Sequence, residues 1–202
     1  MSGHVGSPST TLVVLRGNSR AGKSSLAEAL RQRPMSVVGQ DHIRRIILKD
    51  RDKLELTAAV ELIDLNVRFC LDHGKDVVLE GILWSQKYGA MIRQLLADHR
   101  GRNHVYYLQV DFDETAARHT ASADAAEWTT NDMRSWWNDG DRLGIPEEIV
   151  LDASLPQSQL LSRIQRDLDT LPRSVTPRSS PPLRSSDTSR GPRHAPPLLG
   201  HP

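Results

Sequence analysis

The sequence predicts an α/β fold, a five-stranded parallel sheet sandwiched by helices, and three observations carry that prediction. Short aliphatic, β-branched runs alternate along the chain with longer stretches of helical spacing. The clearest of these runs, TLVVL and DVVLE, are continuous rather than alternating, as strands covered on both faces require. The segment GNSRAGKS, Gly17 to Ser24, fits the pattern GxxxxGK[ST] and falls between the first such run and a helix start.

Thr11 to Leu15 is the first strand, and Lys23 to Arg33 shows helical spacing at Leu26, Ala29 and Leu30. Met35 to Gly39 (MSVVG) reads as the second strand, followed by a helical turn through Ile43, Ile46 and Ile47. A longer amphipathic helix then runs from about Leu54 to Asp72, with His73 and Gly74 ending it. Asp76 to Glu80 is a third strand, Gln86 to His99 a helix and His104 to Val110 (HVYYLQV) a fourth strand. Asp111, Asp113 and Glu114 put negative charge at the start of the next helix, which runs to about His119. Ala123 to Trp137 is expected to be helical, Glu148 to Leu151 a fifth strand, and Gln157 to Leu171 a closing amphipathic helix.

Both ends have a different composition. Residues 1–10 are small and polar and read as a flexible leader ahead of a domain spanning 11–172. From Arg173 to Pro202 the chain is rich in proline, serine and arginine, a composition that cannot bury enough apolar surface to order itself, so a disordered tail is expected. That tail holds five arginines and one aspartate, four net positive charges; against a chain total of +1, residues 1–172 therefore net three negative. A mildly acidic domain argues against a nucleic-acid partner. The single cysteine, Cys70, lies in the apolar set Leu62, Ile63, Leu65, Val67 and Phe69 and reads as buried filler in a reducing, cytoplasmic setting. No run reaches the length of a membrane span and the first residues do not form a signal peptide.

The chemistry gathers at the glycine-rich segment. Backbone N–H groups of Gly17, Asn18, Ser19, Arg20, Ala21, Gly22, Lys23, Ser24 and Ser25 can surround phosphates, aided by the positive end of the following helix. Lys23, expected to face solvent until phosphate arrives, would reach the β- and γ-phosphates, and the Ser24 hydroxyl would ligate Mg2+. Absence of an Asn-Lys-x-Asp segment points to ATP rather than GTP. Asp41 follows the second strand at the carboxyl edge of the sheet, where it can serve as a general base; aspartate is also a helix cap, and a helix starts near His42. Glu80 closes the third strand and is a candidate for holding a magnesium-bound water, with a merely solvated carboxylate as the alternative. Arg44, Arg45, Trp84 and Arg134 are candidates for the acceptor side. Arg118 ends the helix after the fourth strand, and the stretch that follows, about 119–142, reads as a lid; its three tryptophans, Trp128, Trp136 and Trp137, can line a pocket or fill space.

With GNSRAGKSS at Gly17 to Ser25, QDHIRR at Gln40 to Arg45 and VVLEGIL at Val77 to Leu83, the chain resembles small bacterial P-loop kinases, the group of chloramphenicol phosphotransferase and the zeta toxins. The resemblance spans about Thr11 to Leu171. It implies a P-loop NTPase fold like that of the nucleoside-monophosphate kinases, ATP with Mg2+, and Asp41 as catalytic base beside Lys23 and Arg118. Arg20 departs from the glycine or serine common at its loop position, and Ser25 from threonine. The expected function is transfer of the γ-phosphate of ATP to a hydroxyl of a small-molecule acceptor. A nucleotide-dependent regulatory ATPase that recruits a partner through its tail, and a polynucleotide 5′-hydroxyl kinase, are the alternatives.

Overall fold

Five strands, β1 (Thr11–Gly17), β2 (Met35–Gly39), β3 (Asp76–Gly81), β4 (Arg102–Gln109) and β5 (Glu148–Asp152), form one all-parallel sheet in the order β2–β3–β1–β4–β5. The computed structural model describes residues 3–50, 57–122 and 128–170. Helices are α1 (Lys23–Leu30), α2 (Thr57–Asp72), α3 (Ser85–Asp98), α4 (Phe112–Thr120), α5 (Thr130–Ser135) and α6 (Gln157–Asp169). A π-helical turn, His42–Ile47, follows β2.

The central strand β1 is buried at every position because its side chains alternate between two cores. Leu12 and Val14 face one side with Ile63, Val67 and Leu71 of α2 and Ile92 and Leu95 of α3. Val13 and Leu15 face the other, with Leu26 and Leu30 of α1 and Leu160, Ile164 and Leu168 of α6. The sheet is therefore covered on both faces, and the carboxyl ends of β1, β2 and β3 share one rim.

Several boundaries differ from the sequence expectation for local reasons. Helix α1 stops at Leu30 instead of Arg33, in a tightened turn where the Arg33 N–H reaches the Leu30 carbonyl at 3.0 Å. Pro34 accounts for this, since a proline disfavours helical backbone at the residue before it and has no N–H to continue the helix. In α2 the buried positions are Ala59, Ile63, Val67 and Leu71, four apart. Leu65 and Phe69 point to solvent at 62% and 60% exposure, and Cys70 is half-buried at the core margin rather than filling it. The helix expected from Ala123 to Trp137 is, among described residues, the short α5. Its start is set by a reciprocal cap in which Thr129 and Asp132 each accept the other's backbone N–H. Residues 123–127, the start expected for α2 and the tail from Arg173 lie outside the described residues.

The leader is not free from Val5 onward. Val5 is 4% exposed, its N–H donates to the Asp98 carbonyl and its own carbonyl accepts from Arg100. The Gly6 N–H donates to Asp72 Oδ1 at 2.7 Å, and Thr10 pairs with His99 at 2.9 Å. These bonds place part of the leader beside the amino end of β4, a pairing between distant segments that local composition does not reveal.

The strand β1 also ends on a charge. Arg16 is fully buried and donates to Asp141 Oδ2, Glu148 Oε1, the Asp141 carbonyl and the Leu83 carbonyl, each at 2.8 Å. Breaking a buried ion pair from one side leaves uncompensated charge, here on two carboxylates that are themselves 7% and 3% exposed. Arg16→Met should accordingly lose about 3–5 kcal/mol of folding stability, read as a lowered urea midpoint; an unchanged midpoint would remove Arg16 from the framework of the rim.

Candidate active site

The loop from Gly17 to Gly22 turns back over the end of β1, and its shape depends on residues that tolerate unusual backbone. Gly17 has φ +141°, and a Cβ there would run into the Leu108 carbonyl oxygen of the neighbouring strand. Gly22 has φ +91°, and a Cβ there would meet nothing within 4 Å, so the space in front of it is open, as a phosphate cradle requires. Arg20 adopts φ +59°, a left-handed conformation that is costly for arginine.

Lys23 is 7% exposed and donates to the Asn18 carbonyl at 2.7 Å, so it is buried in its own loop rather than solvent-facing as expected. Burial depresses its ammonium from 10.5 to about 8, opposed by the nearby carboxylates of Glu80 and, second, Asp41. Ser24 Oγ donates to Glu80 Oε2 at 3.0 Å. Glu80 lies beside Leu15 and Gly39 in the sheet register, and a Cβ on Gly39 would sit only 2.9 Å from Glu80 Oε1. The glycine that ends β2 thus makes room for the carboxylate that ends β3. Burial raises the Glu80 carboxyl above its ordinary range, with the Lys23 ammonium and the Ser24 hydroxyl pulling it back. Ser24 and Glu80 offer hard oxygen donors side by side, the donor type Mg2+ accepts, and kinase sites complete its shell with phosphates and water.

Asp41 stands at the start of the π-helical turn, exposed, and makes no side-chain cap hydrogen bond there. Its carboxylate lies 3.7 Å from Arg45 Nε. Arg44 is half-buried against Asp50, at 4.0 Å, and close enough to Tyr88 to influence its hydroxyl. Buried Gln40 fixes this corner: its Oε1 accepts the Leu83 N–H at 2.9 Å and its amide reaches Tyr88 Oη at 3.3 Å. Trp84 immediately precedes α3, with Lys87 over its ring at 4.7 Å.

Of the other arginines, Arg118 spans the P-loop and the β5–α6 loop, donating to the Ala153 carbonyl at 2.8 Å and the Arg20 carbonyl at 3.4 Å. Arg134 instead stacks on Phe112, 3.5 Å from the ring centroid, where the structure does not bring it together with Lys23, Asp41 and Glu80. Within the stretch read as a lid, Asn138 is clasped by the P-loop: Asn18 Nδ2 donates to its carbonyl at 2.9 Å and its N–H donates to Asn18 Oδ1 at 3.2 Å. Asp141 accepts the Ser85 N–H at 2.9 Å, the Ser85 hydroxyl and Arg16. Residues 138 to 141 are therefore bolted across the rim. Arg16 and Gln40 announce themselves only as polar residues at strand ends; Asp141 and the Asn18–Asn138 pair carry no sequence signal.

No family model and no curated protein matches the chain. Solved structures do. The APS kinase CysC of Mycobacterium tuberculosis, in complex with AMPPNP and APS, superposes with a TM-score of 0.60 at 19% identity over 81% of this chain and 99% of its own. A sugar kinase from Janibacter sp. HTCC2649 gives 0.58 at 15% identity over 80% and 95%, and a gluconokinase from Sinorhizobium meliloti 1021 gives 0.57 at 15% over 80% and 97%. The chain has the P-loop kinase fold along nearly the whole length of these neighbours. Among the described residues no helix is long and apolar enough to cross a membrane.

Proposed function

We propose that this chain is an ATP-dependent kinase that moves the γ-phosphate of ATP to a hydroxyl of a small-molecule acceptor. The observation that carries the reading is a glycine loop, open in front of Gly22, that holds buried Lys23 next to Ser24, whose hydroxyl donates to Glu80, with Asp41 near enough to act on the lysine's charge. The fold shared with an APS kinase, a gluconokinase and a sugar kinase supports it.

In this reading the loop amides and the α1 N-terminus hold the phosphates, and Lys23 exchanges its bond to the Asn18 carbonyl for the β- and γ-phosphate oxygens. Ser24 and Glu80 would hold Mg2+, which when bound offsets phosphate charge. Asp41 accepts the proton of the acceptor hydroxyl as its oxygen bonds to the γ-phosphorus and the bond to the β-phosphate oxygen breaks, releasing ADP. Arg118, which bridges the P-loop and the β5–α6 loop, is the arginine this reading assigns to the nucleotide, and Arg44, Arg45 and Trp84 are those it assigns to the acceptor side.

The test is a panel of sugars, nucleosides, antibiotics and sulfated or phosphorylated nucleosides incubated with labelled ATP and read by product mass. Acceptor-dependent ATP consumption is expected. Hydrolysis equally fast without any acceptor would defeat the kinase reading.

Lys23 makes a second prediction. Below about pH 8 the free lysine is charged and above it neutral, whereas bound phosphate favours the charged form. Binding above pH 8 must then take up a proton, so the affinity for Mg-AMPPNP should fall by up to about tenfold per pH unit there. Calorimetry in buffers of different ionisation heat measures both. Flat affinity from pH 7 to 10 would mean that Lys23 does not meet phosphate.

A further inference from the structure

A buried imidazole connects the phosphate cradle to the acceptor side. His119, in the last turn of α4, is 2% exposed. Its Nδ1 lies 3.4 Å from a guanidinium nitrogen of Arg20, and its Nε2 lies 2.7 Å from the Trp128 carbonyl oxygen. A guanidinium only donates and a carbonyl only accepts, so the neutral imidazole protonated on Nε2 is the form that satisfies both. The His119 ring stacks on the Trp128 indole, with centroids 5.9 Å apart and planes inclined by 14°. The Arg45 guanidinium sits 4.9 Å from the centroid of the same indole, and Arg45 Nε is 3.7 Å from Asp41 Oδ1. Contacts thus run without a break from the P-loop, through one residue of α4 and one of the lid stretch, to the carboxylate assigned as base.

We infer that His119 is a positioning residue that couples occupancy of the phosphate cradle to the placement of Trp128 and, through it, Arg45. The inference rests on the kinase reading for what fills the cradle. Arg20 belongs to the loop that takes phosphate, has a left-handed backbone at φ +59°, and its carbonyl accepts from Arg118 at 3.4 Å. A polyphosphate and the neutral imidazole compete for the same guanidinium donors, and a charge-assisted hydrogen bond to phosphate is the stronger of the two. Filling the cradle therefore changes the Arg20–His119 contact, already long, and the imidazole passes that change to the indole stacked on it. A histidine that only filled space would not need both nitrogens spent on segments flanking the cleft.

The experiment titrates Mg-AMPPNP into the full chain, following tryptophan emission and, separately, binding heat. In the wild type the nucleotide should change the emission, and Trp128→Phe should remove that change, assigning it to Trp128 over the other three tryptophans. His119→Ala should bind Mg-AMPPNP within about threefold of wild type yet lose most of the emission change. His119→Gln, whose amide both accepts and donates, should recover it. If His119→Ala does not fold, His119→Phe keeps a stacked ring without either hydrogen bond and is expected to behave as His119→Ala should. An undiminished emission change in a folded His119→Ala or His119→Phe overturns the coupling. Wild type that binds Mg-AMPPNP with no change at Trp128 overturns it as well and leaves the kinase reading intact, whereas wild type that binds no nucleotide overturns the kinase reading itself.

Discussion

Replacing Lys23 by alanine should leave a folded protein whose acceptor-dependent ATP turnover is lower by at least about a hundredfold, because a preorganised cation aimed at developing phosphate charge is removed from a desolvated site. The protein should stay folded, although the lysine is buried. The side chain donates to the Asn18 carbonyl at 2.7 Å, and a hydrogen bond from a charged group nets about 1.5–3 kcal/mol. Its ammonium is depressed to about 8 by burial, so the folded state already holds it at a cost that alanine relieves. Thermal unfolding together with Mg-AMPPNP binding separates the two effects. Wild-type affinity in a folded Lys23→Ala protein would show that phosphate does not reach this loop.

Asp41→Asn should be the second large effect, and of a different kind. Loss of a general base lowers the chemical step by about 10²–10⁴-fold while the nucleotide still finds its loop. Asp41 is exposed and caps nothing, so asparagine should cost little stability. Single-turnover transfer of labelled phosphate should collapse with Mg-AMPPNP affinity nearly unchanged. Wild-type transfer in Asp41→Asn would move the proton acceptor elsewhere, with Glu80 the next carboxylate on the rim, though its hydrogen bond from Ser24 at 3.0 Å commits it to the magnesium side.

The cradle was legible in the chain because its parts are contiguous. Gly17 and Gly22 had to be glycine for backbone reasons visible within eight residues, and both adopt positive φ. Glu80 and Asp41 were legible at one remove. Each follows a short apolar run, and parallel pairing of β2, β3 and β1 brings those ends to one rim, as in the register pairs Gly39 with Glu80 and Leu15 with Glu80. Lys23 was misread as solvent-facing because its burial comes from the folded loop, whose Asn18 carbonyl takes its ammonium, and the charge that balances it comes from Glu80, 57 residues away in sequence. Arg134, expected on the acceptor side, stacks on Phe112, whereas Arg118, expected at the nucleotide, bridges two loops. Position in a lid does not say which way a long side chain turns.

By itself, the sequence determined the strand–helix alternation, the buried central strand and the phosphate loop, because these follow from periodicity and from backbone demands of a few adjacent residues. Tertiary structure alone decided what surrounds that loop. Arg16 meets Asp141 across 125 positions and Asn18 meets Asn138 across 120. His119 reaches Arg20 across 99. Such pairs join polar residues that look ordinary in their own neighbourhoods. They become specific when the sheet brings their segments to one rim, where a buried donor or acceptor without a partner would be costly.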